Sequence, residues 1–212
     1  MMATRATTRL SIFPLGGALL FPRMALPLHI FEPRYRAMMS DAMARDRRIG
    51  MVQPRPLPVH DGDEPRLFDI GCVGRIAQFE VLDDGRYNLV LEGTSLFRIV
   101  RELDVTTPFR QVEAELLPIG DEPEILGIAS RASLEIESRR FADAQGYAVD
   151  WEAVSRLDDE SLVNGVAQIA PFDVAAKQAL LEAPNLDDRA ELLVQLMQFF
   201  GRHDGEESVT LQ

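Results

Sequence analysis

The chain has 212 residues, 46% of them hydrophobic and 26% charged, with a formal net charge of −12. That length supports a sizeable core, in one domain or one domain with a helical extension. No apolar run approaches the roughly 20 residues that cross a bilayer, and Gly16, Gly17, Pro22 and Arg23 break up the only signal-like stretch, so we expect a cytoplasmic protein with no membrane partner.

In chain order, Leu10–Leu15, Leu26–Phe31 and Ile49–Val52 are short strand candidates. Pro22 and Pro27 argue for an edge strand or an exposed loop there, because proline has no N–H for a central ladder. Between these strands Pro33 suits the first position of a helix. Tyr35, Met38, Met39, Ala42 and Met43 then recur at helical spacing. This predicts a helix near 33–46, ending where Arg47 meets the negative end of its dipole. Gln53–Pro65, rich in Pro, Asp and Gly, reads as a loop. Val73–Leu82 is strand-like, and Asp84-Gly85 marks a hairpin turn. Tyr87, Leu89 and Leu91 alternate with polar neighbours; Gly93 is expected to break the run and Phe97–Val100 to resume it. Val112, Ala114 and Leu116 alternate in a last strand. Six or seven such strands suggest a curled antiparallel sheet or barrel.

After Pro118–Pro123 the signals turn helical. Helices are predicted over Glu124–Phe141, Ser161–Ile169, Val174–Glu182 and Leu186–Phe200, with Asp173 and Asn185 as caps and Asp188 reaching back. The polar end after Gly201 is expected to fray. The division is therefore residues 1–118, β-rich; 119–202, helical; and 203–212, a flexible tail. Charge follows it. Residues 1–120 are balanced, whereas 121–212 hold 19 acidic side chains against 7 basic ones. Without a basic stripe, nucleic acid is not expected as a partner.

Catalytic signatures are missing. The single lysine, Lys177, follows no phosphate loop and is expected to be a solvated surface charge. Cys72, the only cysteine, has no nearby histidine and reads as a small buried hydrophobe. The three histidines are far apart, and His29 is expected to sit in the core or at its rim. Asp83-Asp84 belongs to a turn, and Asp158-Asp159-Glu160 to a helix start. Neither metal nor cofactor is implied, and no enzyme activity is expected.

Phe13-Pro14-Leu15, Leu20-Phe21-Pro22 and Leu26-Pro27-Leu28-His29-Ile30-Phe31-Glu32-Pro33-Arg34-Tyr35 together resemble the opening signature of Lon protease amino-terminal, substrate-binding domains. Gly71–Ile76, Gly85–Gly93, Phe97-Arg98-Ile99, Lys177-Gln178 and Arg189 continue the resemblance in order. It implies an α+β fold, a PUA-like antiparallel pseudo-β-barrel with one inserted helix, followed by a helical bundle. It also implies recognition of unfolded or exposed polypeptide segments by a stand-alone member lacking the ATPase and protease parts, with a role as an adaptor in protein quality control. An RNA-binding PUA-like protein is the alternative, as is a peptidase in family label only, and a weak homo-oligomer stays open. The candidate binding residues are Phe21, Phe31, Tyr35, Met38 and Met39. Phe21 and Met39 are expected to be exposed contacts; Tyr35 and Phe31 are expected in the core.

Overall fold

The computed structural model describes residues 7–56 and 64–207, with side chains as far as residue 201. Most of the expected loop, His60, the side chain of His203 and residues 208–212 lie outside the described residues. The chain divides into two compact units, Met1–Gly120 and Asp121–Gln212.

The first unit carries β1 (Thr7–Pro14), β2 (Ala25–Ile30), α1 (Pro33–Ala44), β3 (Arg48–Val52), β4 (Ile70–Val81), β5 (Tyr87–Glu102) and β6 (Gln111–Leu117). The strand order is β2-β5-β4-β3-β1-β6, and β5 also pairs with β6. Five strands thus form a ring, and β2 hangs from β5 as an edge. The sheet is mixed rather than antiparallel throughout: β1 and β3 pair in parallel. The chain between them passes through β2 and α1, and such a long crossover is what a parallel pair needs.

Gly93 does not end its strand, contrary to the expected break. β5 runs through it for 16 residues. Its first half pairs with β2 and its second half with β6, while β4 spans both. At Gly93 the turn Leu20–Met24 lies against the strand: the Arg23 N–H donates to the Gly93 carbonyl, and the Gly93 N–H to the Met24 carbonyl, both at 2.9 Å. A Cβ on Gly93 would stand 1.9 Å from the Phe21 carbonyl oxygen. Glycine is required there by contact with backbone, not by conformation.

α1 starts at Pro33 as expected, but ends at Ala44, earlier than expected. Arg47 takes a left-handed φ of 56° and donates its N–H to the Ala42 carbonyl. That turn, rather than a dipole contact, delivers the chain into β3. Tyr35, Met38, Met39 and Ala42 form the inner face of α1 and share a core with Phe13 and Leu91. Cys72 is in the same core, and burial pushes its thiol pKa well above the ordinary value. The hairpin is as expected, with Gly85 at φ 77° and Leu82 and Arg86 bonded across the turn. The Arg86 backbone N–H, then the Arg86 guanidinium, hold the Asp84 carboxyl below its usual value.

The second unit has α2 (Ile128–Ala144), α3 (Trp151–Ser155), α4 (Asp159–Ile169), α5 (Val174–Glu182) and α6 (Leu186–Glu207). α3 was not anticipated; Asp150 caps it by accepting from the N–H groups of Glu152 and Ala153. Asp158 and Asp173 cap α4 and α5. Asn185 accepts from the Asp188 N–H at 2.8 Å, while Asp188 takes the Asn185 side-chain amide at 2.9 Å. α6 continues through Gly201 to Glu207, past the expected end at Phe200. One helical glycine costs only about 1 kcal/mol.

Among the described residues of this unit, two cations are buried. Lys177 is not the solvated charge expected: it is buried and donates to the Gln168 carbonyl at 2.9 Å. Its helix lies against a neighbouring helix end, and the ammonium satisfies an orphan carbonyl there. Arg189 donates to the Leu180 carbonyl and to Asn164 Oδ1, both at 2.9 Å, tying α6 to α5 and α4.

Replacing Gly93 with Ala should cost about 2–4 kcal/mol, because backbone must move to admit the methyl group; chemical denaturation measures it. Burial lowers the Lys177 pKa below 10.5. The unfolded chain then binds more protons than the folded chain in the window below 10.5, so this residue's contribution to stability rises with pH there. Lys177→Met should remove that rise, seen as a flatter unfolding free energy just below about pH 10.5.

Candidate functional site

An open basin of about 520 Å³ lies on the β2–β5–β4 face of the first unit. Its rows follow from register. Pro27, Val90 and Gln78 are cross-strand neighbours, and so are His29, Asn88 and Glu80. Strand alternation puts both rows on one face and turns Leu28, Leu89 and Ile30 to the other.

The second row is a directional chain of hydrogen bonds. Arg86 Nη1 lies 3.2 Å from His29 Nε2. A guanidinium only donates, so Nε2 accepts and the ring proton sits on Nδ1. Nδ1 then donates to Asn88 Oδ1 at 2.7 Å, and Asn88 Nδ2 to Glu80 at 3.3 Å. The expected apolar setting for His29 is thus replaced by an exposed polar row. Arg86 is itself paired with Asp84 at 2.6 Å. Phe31 continues the alternation beyond β2, its ring 6.1 Å from that of His29 and stacked on it.

Burial reverses two of the expected contacts. Phe21 is 0% exposed and Met39 is also fully buried, so neither is a surface contact. Phe21 is drawn in by the docking of its turn on Gly93, which also buries Pro22. Met38 and Met39 follow the helical periodicity that marks a core stripe. Tyr35 is buried as expected, 4.3 Å from the Phe13 ring, and burial raises its pKa. Phe31, expected in the core, is 59% exposed. It follows the inward Ile30, and period two sends it outward.

The basin residues His29, Asn88, Glu80, Gln78 and Val90 were not singled out as a group in the sequence. The alternation of β2 and the Asp-Gly hairpin would place His29 and Asn88 on outward faces. Pairing β2 with β5 is the tertiary step that the pattern does not contain.

A family model described as the ATP-dependent protease La (Lon) substrate-binding domain matches residues 9–198. The chain belongs to this family. The Lon protease of Haemophilus influenzae is 27% identical over 202 residues, which cover 93% of this chain and 25% of that protein. The Lon protease of Escherichia coli K12 is 26% identical, with 88% and 24% covered. The chain thus spans about a quarter of the length of these curated Lon relatives. Two solved structures share the fold at TM-scores of 0.62: a Lon N-terminal domain protein from Xanthomonas campestris, 23% identical over 91% of this chain and 98% of that one, and the N-terminal domain of Mycobacterium avium complex Lon protease, 19% identical over 90% and 98%.

Phe21→Ser should destabilise the chain by about 3–5 kcal/mol, as loss of a buried ring does. Phe31→Ser should change stability by less than about 0.5 kcal/mol. Parallel urea titrations would separate the two positions.

Proposed function

We propose that this chain recognises polypeptide, and that unfolded or exposed segments bind across the β2–β5–β4 face with Phe31 as the apolar anchor. The observation that carries the proposal is the exposed Phe31 ring beside an open basin, on a unit with the fold of a substrate-binding domain family. Pro27 and Val90 supply apolar surface to a passing chain. Gln78 and Asn88 supply amides suited to its backbone. Tyr35, Met38 and Met39 act beneath this surface as the packing that holds β2 in place.

The role is one of binding without chemistry, as for an adaptor in protein quality control in the cytoplasm. Cys72 is a buried thiol whose raised pKa disfavours the thiolate. Lys177 is buried and bonded to a carbonyl. His29 is engaged by Asn88 and Arg86, with no nucleophile on that row. Among the described residues, no helix is long and apolar enough to cross a membrane.

The test is fluorescence anisotropy of labelled, unfolded casein titrated with the chain. Phe31→Ser and Val90→Glu should each weaken binding by at least about fivefold with an unchanged melting temperature. Binding should persist in about 0.3 M salt, because apolar burial drives it, whereas any binding of single-stranded RNA should vanish there. Unchanged casein affinity in both variants, or RNA binding that outlasts casein binding in salt, would sink the proposal.

A further inference from the structure

β4 is paired on both sides along only part of its length. Its register with β3 stops at Arg48 and Arg75, followed by one hydrogen bond from the Ile76 N–H to the Arg47 carbonyl at 2.8 Å. Beyond Ile76, β5 is the only strand beside it among the described residues. Gln78, Phe79, Glu80 and Val81 are all exposed.

The hairpin fixes where the backbone groups of this stretch point. The Leu82 N–H donates to the Arg86 carbonyl at 2.9 Å, so Leu82 faces β5. Pairs alternate in an antiparallel ladder, so Glu80 and Gln78 face β5 as well. Phe79 and Val81 then turn their N–H and C=O groups to the open side. The bulge between Ile76 and Gln78 reconciles this with Ile76, which faces β3. The side chains of Phe79 and Val81 lie on the α1 side of the sheet, in line with Leu89 and Tyr87. They are 44% and 57% exposed. Edge strands are commonly blunted by proline, lysine or an inward charge. β2 has Pro27, whereas residues 77–81 carry none of these.

We propose that this open edge of β4 takes an extended segment of another polypeptide as an added strand, held by its main chain. The proposal rests on the reading of this chain as a polypeptide binder, and adds where a client's backbone is gripped. The open stretch accepts about 17 Å of extended chain. Apolar β-branched side chains prolong the row of Phe79 and Val81. A neutral or basic residue suits the position facing Glu80, whose carboxylate takes one 3.3 Å bond from Asn88 Nδ2. A second copy of the chain fits poorly. Two β4 edges paired antiparallel about Phe79 would set the second copy's Leu82 opposite Ile76, where Arg47 already sits. Pairing about Glu80 would set two carboxylates face to face.

The probe is a fluorescein-labelled peptide of about eight residues, threonine and valine alternating between end lysines, titrated by anisotropy. Binding is expected. N-methylating one set, either the valines or the threonines, should weaken it at least about tenfold. Methylating the other set should change it by less than about twofold, because only one row of N–H groups faces β4. Val81→Pro removes an outward N–H and none that β5 uses. It should weaken binding at least about fivefold with a nearly unchanged melting temperature. Amide hydrogen exchange reads the edge in the unaltered chain. The Phe79 and Val81 amides should exchange fast alone and at least about tenfold slower with peptide, while Gln78 and Glu80 stay protected throughout. A peptide that does not bind up to about 1 mM, equal effects of the two methylated sets, or edge amides already protected in the free chain would each overturn the proposal. So would a Val81→Pro chain that folds and binds unchanged. Casein binding that depends on Phe31, beside a peptide blind to methylation, would leave the face standing and remove the edge; the reverse pair of results would remove the face and keep the edge.

Discussion

The first unit depends on a single close approach, that of the Phe21 carbonyl to Gly93. β5 must serve β2 and β6 at its two ends while staying paired with β4. A strand doing this has to bend, and the Leu20–Met24 turn docks where it does. That docking drives Phe21 and Leu20 into the core and starts β2 in register against β5. The register then decides which side chains of β2 face outward. Pro27, His29 and Phe31 share the outer face because Ile30 is turned in. The proposed binding surface is therefore a consequence of a glycine that touches none of it.

Much of this architecture was legible in the sequence. The alternating strands, the Asp-Gly turn, the helix opened by Pro33 and the capping Asp173 and Asn185 all rest on local rules, and local rules were enough. The errors are tertiary. Gly93 looks like a strand breaker in isolation, whereas its missing side chain accommodates a segment about seventy residues earlier in the chain. Phe21 looks exposed between Leu20 and Pro22 until that segment is docked. Lys177 looks solvated because nothing local predicts that the Gln168 carbonyl will need a donor. The site is half visible there: Phe31 stands out, but as a core residue, and the His29–Asn88–Glu80 row needs the pairing of three strands.

The second unit solves its helix ends with charge. Asp150, Asp158 and Asp173 close the N-termini, and Lys177 and Arg189 reach backbone carbonyls where helices end. This accounts for part of the acidic excess in residues 121–212. Caps take up acids, while Lys177 and Arg189, two of the seven cations, are spent in the interior. What remains outside is a surface richer in carboxylates than the composition suggests.

Pro27 helps decide how the β2 edge can be used. An edge strand invites another strand, and a proline within it removes a donor from the open side, since Pro27 can face Val90 only as a non-hydrogen-bonded pair. β2 is thus guarded against indiscriminate strand addition. A client reaching this edge finds an incomplete ladder and must draw its affinity from side-chain contacts on the face, with Phe31 foremost. Such contacts are tolerant of sequence, because apolar burial is non-directional. A tolerant surface suits a varied client.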